Sequence, residues 1–219
     1  MIQDQDFKYR AKREAMVETL RVDYGISDER VLQAFLKVKR HLFVDTMFWD
    51  SAYEDSPFPI GSNQTISQPY TVAYMTSIIT KHYQTGKILE IGTGSGFQAA
   101  ILCELGYRVC TVERIDLLYQ KAKRIFEQLR LRIALRYGDG TLGWSEMAPF
   151  DAIIVTAGAP SVPHSLLEQL NEDGRLIIPV GDTERQRMMI YHRQGDTIYE
   201  TKTNTFAFVP LIGREGWNK

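Results

Sequence analysis

Apolar residues recur at helical intervals near the start of the chain, and after Gly86 they gather into short runs separated by helical ones. From Asp6 to Arg21, Phe7, Ala11, Ala15, Met16 and Leu20 suit one face of a helix, which Gly25 ends. Ser27 is placed to cap a second helix with Val31, Leu32, Phe35, Leu36 and Val38 as its buried stripe. Lys39 to Ser67 holds Pro57, Pro59, Gly61, Ser62 and Asn63 without a sustained period, so it is predicted as loop, and a loop this long points to function. A third helix follows, with Val72, Met75, Ile78 and Ile79 on its apolar face, Ser67 or Gln68 as its cap and Pro69 in its first turn.

Beyond Gly86 the alternation of short strands and helices predicts a parallel sheet. Lys87–Ile91, Arg108–Glu113 and Ile133–Tyr137 read as its first strands, joined by a helix that ends at Gly106 and by a second over Asp116–Leu129. That second helix has an expected apolar stripe of Leu117, Tyr119 or Gln120, Ala122, Ile125, Phe126 and Leu129. Asp151–Thr156 and Arg175–Val180 flank a helix that Pro163 begins and Gly174 ends. The tail carries strand-like runs at Met188–His192, Thr197–Thr201 and Phe206–Ile212, with a hairpin at Gly195-Asp196. The expected fold is α/β, a doubly wound and mostly parallel sheet. Residues 1–82 would supply amino-terminal helices and a loop, 83–181 the core and 182–219 the last strands, all within one domain.

Composition narrows the function. With 219 residues, 44% of them hydrophobic and 24% charged, the chain has apolar material for a sizeable core. A formal net charge of −1 and the lack of a long basic run exclude the electrostatic footprint that nucleic acid requires. Cys103 and Cys110 lack the short spacings of metal or redox motifs, so no metal site is expected. The stretch Met1 to Arg13 is too charged for a signal peptide, and no apolar run reaches a membrane span, so the cytoplasm is the expected location.

The run Ile88-Leu89-Glu90-Ile91-Gly92-Thr93-Gly94-Ser95-Gly96 joins a buried strand to a helix through alternate glycines, which lets backbone approach a nucleoside-type ligand. The dinucleotide fingerprint needs its last glycine where Phe97 stands, so the spacing suits a cofactor without phosphates, S-adenosylmethionine. Glu113 ends the second strand, where it is either a ribose acceptor or a solvated charge. Asp139, before Gly140, is either an adenine acceptor or a turn residue. Glu90 either approaches the methionine end or orients the glycine loop. Ser67 is either an ordinary helix cap or a hydroxyl facing an anion.

Several segments resemble the protein-L-isoaspartate O-methyltransferase family in order along nearly the whole chain. They are Ala52-Tyr53 with Pro57-Phe58-Pro59-Ile60-Gly61, Gln64-Thr65-Ile66-Ser67-Gln68-Pro69-Tyr70, the Glu90–Gly96 run, Val112-Glu113-Arg114, Gly138-Asp139-Gly140, Pro149–Thr156 and Phe208-Val209-Pro210-Leu211. The family more often has proline where Lys39 and Asp45 stand.

The resemblance implies a class I, Rossmann-like methyltransferase that repairs damaged proteins. It would transfer a methyl group from S-adenosylmethionine to the free α-carboxylate of isoaspartyl residues, leaving S-adenosylhomocysteine. It further implies cofactor contacts from Thr65, Ile66, Ser67, Glu90, Gly92, Thr93, Gly94, Gly96, Glu113, Asp139 and Gly140, with Ser67 facing the reacting carboxylate. Phe208, Val209, Pro210 and Leu211 would bind a flexible peptide partly through main-chain hydrogen bonds. Isoaspartyl peptides and damaged proteins are the expected partners, with no nucleic acid, no membrane and a monomeric state. The rival expectations are another carboxyl methyltransferase on the same cofactor domain, or a binding module without turnover.

Overall fold

The computed structural model describes residues 2–218, so Met1, at the head of the charged amino-terminal stretch, lies outside the described residues. Two helices come first, α1 (Ile2–Val22) and α2 (Glu29–Lys37). The buried side of α1 is Tyr9, Arg13, Met16, Val17 and Leu20, whereas Phe7 is 86% exposed and Ala11 and Ala15 face outward. Tyr9 wins over Phe7 because its ring lies 4.5 Å from that of His41 and meets Trp49 edge-on at 6.3 Å, which rotates the whole stripe. The cap of α2 is Asp28, not Ser27, and its carboxylate accepts from the Arg30 N–H at 2.9 Å.

The predicted loop of residues 39–67 is structured. It makes 3-10 turns at Arg40–Phe43 and Thr46–Phe48, then an antiparallel hairpin of β1 (Phe58–Gly61) and β2 (Gln64–Ile66). Ser62 and Asn63 both have positive φ, as a tight primed hairpin turn requires. Strands of four and three residues are too short to reveal a period of two in sequence. Arg40, fully buried, holds the segment in place. It donates to the carbonyls of Ala52 at 2.8 Å, Ser56 at 3.3 Å and Ser67 at 2.8 Å, and its guanidinium lies 4.9 Å from the centre of the Phe97 ring.

Next comes α3 (Pro69–Thr80), with Gln68 at the cap position but no side-chain bond from it. The free N–H of Tyr70 is taken instead by Asp55 at 2.8 Å, and Asp55 also accepts from Gln68 at 3.2 Å and from the Tyr24 hydroxyl at 2.6 Å. Ser67 is therefore not the cap. The anion at this helix entrance is a side chain of the protein itself.

The core then runs β3 (Lys87–Ile91), α4 (Phe97–Glu104), β4 (Arg108–Glu113), α5 (Asp116–Gln128), β5 (Ile133–Tyr137), β6 (Phe150–Val155), α6 (His164–Glu168), β7 (Leu170–Gly181), β8 (Gln186–Gln194) and β9 (Thr197–Phe206). One seven-stranded sheet has the order β5-β4-β3-β6-β7-β8-β9, with β3 to β7 parallel and β8 and β9 antiparallel at one edge. Its order reverses between β3 and β6, which opens a crevice at the carboxyl ends of the strands. Leu89, Ile91, Val112, Ile153 and Leu176 pack on one face. Ile88, Val109, Ile154 and Ile177 pack on the other against Met75, Ile79, Leu102 and Phe126 from α3, α4 and α5. Each such burial is worth roughly 1.5 to 3 kcal/mol, and a one-residue slip would exchange the faces, so the register is pinned.

Three further expected elements differ from those observed. Leu117 is 67% exposed, and Leu118 is buried in its place, because α5 packs with Ala122 and Phe126 inward. The helix after Pro163 stops at Glu168, and Gly174 lies within β7, where a Cβ would sit 2.8 Å from the Asn171 carbonyl at a kink in the strand. The last runs regroup as well: residues 197–206 form one strand across the Gly195-Asp196 hairpin, and residues 207–212 are extended chain with isolated bridges at Pro210 and Ile212.

Candidate active site

The crevice lies above the ends of β3, β4 and β6. Its floor is the glycine loop, in which Gly92 and Thr93 donate their N–H groups to the Val112 carbonyl at 2.9 and 3.3 Å. Gly96 caps α4 in the left-handed region at φ 86°, and a Cβ there would lie 2.5 Å from the Phe126 ring, so this glycine is required by packing and does not line the crevice. Gly140 does line it, and any Cβ there would meet Ile91 at 2.6 Å.

Glu113 is 4% exposed, which rules out a solvated strand end. Its two oxygens accept from the N–H groups of Gly94 and Ile115, each at 2.8 Å, so it ties the glycine loop to the entrance of α5. Burial raises its carboxyl above the ordinary value, opposed by the backbone N–H groups of Gly94, Ile115 and Arg114. An ionised carboxylate has about four acceptor positions, which leaves room for ribose hydroxyls. Glu90, fully buried, also lines the crevice. One of its oxygens accepts from the Thr111 hydroxyl at 2.5 Å, and the other has no partner.

The opposite wall comes from both ends of the sequence. Thr65, Ile66 and Ser67 contribute from β2 and the approach to α3, and Val209, Pro210 and Leu211 from the segment after β9. The Ser67 carbonyl is fixed by Arg40, while its side chain is half-buried and lines the crevice.

Two further expected contacts fall outside the lining. Asp139 has one oxygen on the Thr141 N–H at 2.9 Å and hydroxyl at 2.7 Å, and the other on the Arg214 N–H at 2.8 Å, so it caps a turn and anchors the carboxyl-terminal segment. Phe208 is turned away, with its N–H on Gln186 at 2.8 Å. The expected main-chain pairing of a peptide along residues 208–211 is partly pre-empted. The Val209 carbonyl and Leu211 N–H already pair with Gly158 at 2.8 Å each, and Pro210 has no N–H to give.

Sequence reasoning missed Gln64, Ser95, Gln98, Ile115, Leu118 and Thr156, all of which line the crevice. Thr156 donates to the carbonyls of Ile91 at 3.0 Å and Gly92 at 2.6 Å, bracing the glycine loop from β6. Gln98 donates to Thr76 at 3.0 Å, and its buried carbonyl oxygen has no partner. A lone polar residue in the apolar helix Phe97-Gln98-Ala99-Ala100-Ile101-Leu102 was the signal available for it. Among the described residues no helix is long and apolar enough to cross a membrane.

Residues 11–216 match the family model described as protein-L-isoaspartate(D-aspartate) O-methyltransferase. A protein-L-isoaspartate O-methyltransferase of Chlorobaculum tepidum is 57% identical over 208 residues, covering 95% of this chain and 97% of its own. The enzyme of the same name from Pelodictyon phaeoclathratiforme is 56% identical over 207 residues, 94% of each chain. A solved protein-L-isoaspartate O-methyltransferase is 29% identical, with a TM-score of 0.83 over 93% of this chain and 67% of that one. A Plasmodium falciparum structure solved with S-adenosyl-L-homocysteine, 23% identical, shares the fold at a TM-score of 0.79 over 91% of this chain and 98% of its own. A match over nearly the full length, to the family model and to relatives more than half identical, places the chain in the protein-L-isoaspartate (D-aspartate) O-methyltransferase family.

Proposed function

We propose that this enzyme methylates the free α-carboxylate of isoaspartyl residues in damaged proteins and peptides, using S-adenosylmethionine, and so initiates their repair. The observation that carries the reading is one crevice lined on one side by the glycine loop and buried Glu113, and on the other by Ser67 and Val209–Leu211. The unpartnered acceptor oxygens of Glu90 and Gln98 suit a ligand that brings its own donors or positive charge.

When bound, S-adenosylmethionine supplies a methyl group activated by a sulfonium. The residues supply placement. Glu113 would hold the ribose, Gly140 would let the cofactor approach closely, and Glu90 and Gln98 would face its methionine end. Asp139, committed to the turn, supports Gly140 from behind.

A carboxylate with an ordinary pKa of roughly 4 is already ionised at neutral pH, so no base is needed to prepare the nucleophile. Ser67 orients it by one hydrogen bond. A stronger anion clamp would quiet the nucleophile, and the cationic Arg40 is fully buried and bonded to carbonyls instead. Transfer cancels charge, so a crevice that excludes water favours it. The chain is proposed to act as a single methyltransferase domain, as a monomer and in the cytoplasm.

Labelled methyl transfer to paired peptides, identical except for one isoaspartyl or aspartyl residue, tests the function. Base-labile label on the isoaspartyl peptide alone is expected. Equal labelling of both would overturn the assignment.

A further inference from the structure

Glu90, next to last in β3, has no lysine or arginine among the charges acting on it. From β4, its neighbour in register is Thr111, and the charge acting on it is the like charge of Glu113. Across it on β6 stands Ile154, followed by the neutral Thr156. Gln98 of α4 lines the same crevice and donates to Thr76 of α3. Arg114 lines the same crevice, but its charge acts on Glu113. Thr111 gives Glu90 one hydrogen bond and shares another with Thr93 at 2.6 Å, whereas Glu90 Oε1 has none.

A carboxylate so buried, half-satisfied and next to a second carboxylate favours its neutral form. Burial pushes its carboxyl up to about 8, with the Glu113 charge adding to this and the Thr111 hydroxyl and Ala99 N–H opposing it.

We propose that Glu90 carries a proton before the cofactor binds and gives it up on binding, its carboxylate becoming the buried counter-charge of the cofactor's cationic methionine end. This rests on the assignment of the crevice to S-adenosylmethionine. In the step the Glu90 O–H bond breaks, its electron pair stays on the carboxylate, and the proton passes to buffer. The methionine end has two cationic centres, a sulfonium that methyl transfer neutralises and an ammonium that it leaves intact. Glu90 is thus a residue through which the cofactor's charge sets its affinity.

Titration calorimetry of the wild-type enzyme at about pH 6.5, in buffers of different ionisation enthalpy, measures the proton directly. Close to one proton should leave per S-adenosylmethionine bound. Affinity should rise about tenfold per pH unit up to about pH 8 and level above it. Release with S-adenosylhomocysteine as well makes the ammonium the partner, and release with S-adenosylmethionine alone makes it the sulfonium. Either supports the proposal.

Glu90→Gln should bind without proton release, and persistent release in that folded variant would assign the proton elsewhere. Should Glu90→Gln fail to fold, Thr111→Val keeps the carboxyl but removes its donor, and must move the midpoint to higher pH. An unmoved midpoint there overturns the proposal. Wild-type binding without proton release, at pH-independent affinity, overturns it too and leaves the cofactor assignment standing. Failure to bind either compound overturns that assignment, and the proposal with it.

Discussion

At the scale of single residues, the structure separates roles that the sequence left joined. Ser67 had two readings, and the helix entrance is capped by Asp55, so the hydroxyl is free of that duty. Ser67→Ala should therefore fold normally and bind cofactor nearly as well. It should turn over about 10 to 150 times more slowly, the loss that corresponds to about 1.5 to 3 kcal/mol for a hydrogen bond to a charged group made only in the transition state. Turnover and cofactor affinity on one preparation decide this, and normal turnover would remove Ser67 from the chemistry. Glu113→Ala should weaken the cofactor by about 1.5 to 3 kcal/mol in calorimetry. Because Glu113 also holds the Gly94 and Ile115 N–H groups, Glu113→Gln, which keeps an acceptor, should lose less. Equal affinity in all three proteins would take the ribose away from this residue.

At the scale of elements, what could be read in sequence and what could not follow a physical division. The bounds of β3 and β4 were legible because strands covered on both faces read as continuous apolar runs closed by glycine or charge. The entrance to α3 was not, because its cap arrives from Asp55, fifteen residues upstream, and a local pattern contains no trace of it. The hairpin of β1 and β2 was hidden for a related reason. The segments flanking its strands are held by Arg40 reaching the carbonyls of Ala52, Ser56 and Ser67, contacts made across the chain. In the site, the glycine loop and Glu113 were legible from local spacing, while Gln98 and Thr156 enter only through the packing of α4 and β6.

Asp55→Ala should cost about 1 kcal/mol or somewhat more for the lost helix cap, read as a lowered unfolding midpoint. The Tyr24 phenol, now pushed up to about 12 first by its hydrogen bond to Asp55, should titrate at lower pH in this variant, and an unmoved phenol would contradict that contact.

At the scale of the whole molecule, Glu90 ties stability to pH. Its folded carboxyl is raised to about 8, chiefly by burial, from an ordinary value of 4.5. Between those values the folded chain holds a proton that the unfolded chain has lost. This contribution is therefore greatest at low pH, falls as pH rises through that window and is level above it. Without cofactor, the unfolding midpoint should fall between about pH 5 and pH 8 more steeply in the wild type than in Glu90→Gln. Parallel profiles for the two would mean that Glu90 is ionised in the folded enzyme throughout.

The crevice wall formed by residues 64–67 and 209–212 comes from distant parts of the sequence, with the strands of the sheet between them along the chain. Contacts so far apart along the chain carry the largest loop-closure cost and are made late in folding. Order of assembly follows: a refolding chain should protect the amides of β3, β4 and β6 before it can take up cofactor, so an unfinished molecule has a sheet and no site. In stopped-flow refolding, cofactor binding should lag behind the burst of amide protection, and simultaneous recovery of both would show that the walls close together with the sheet.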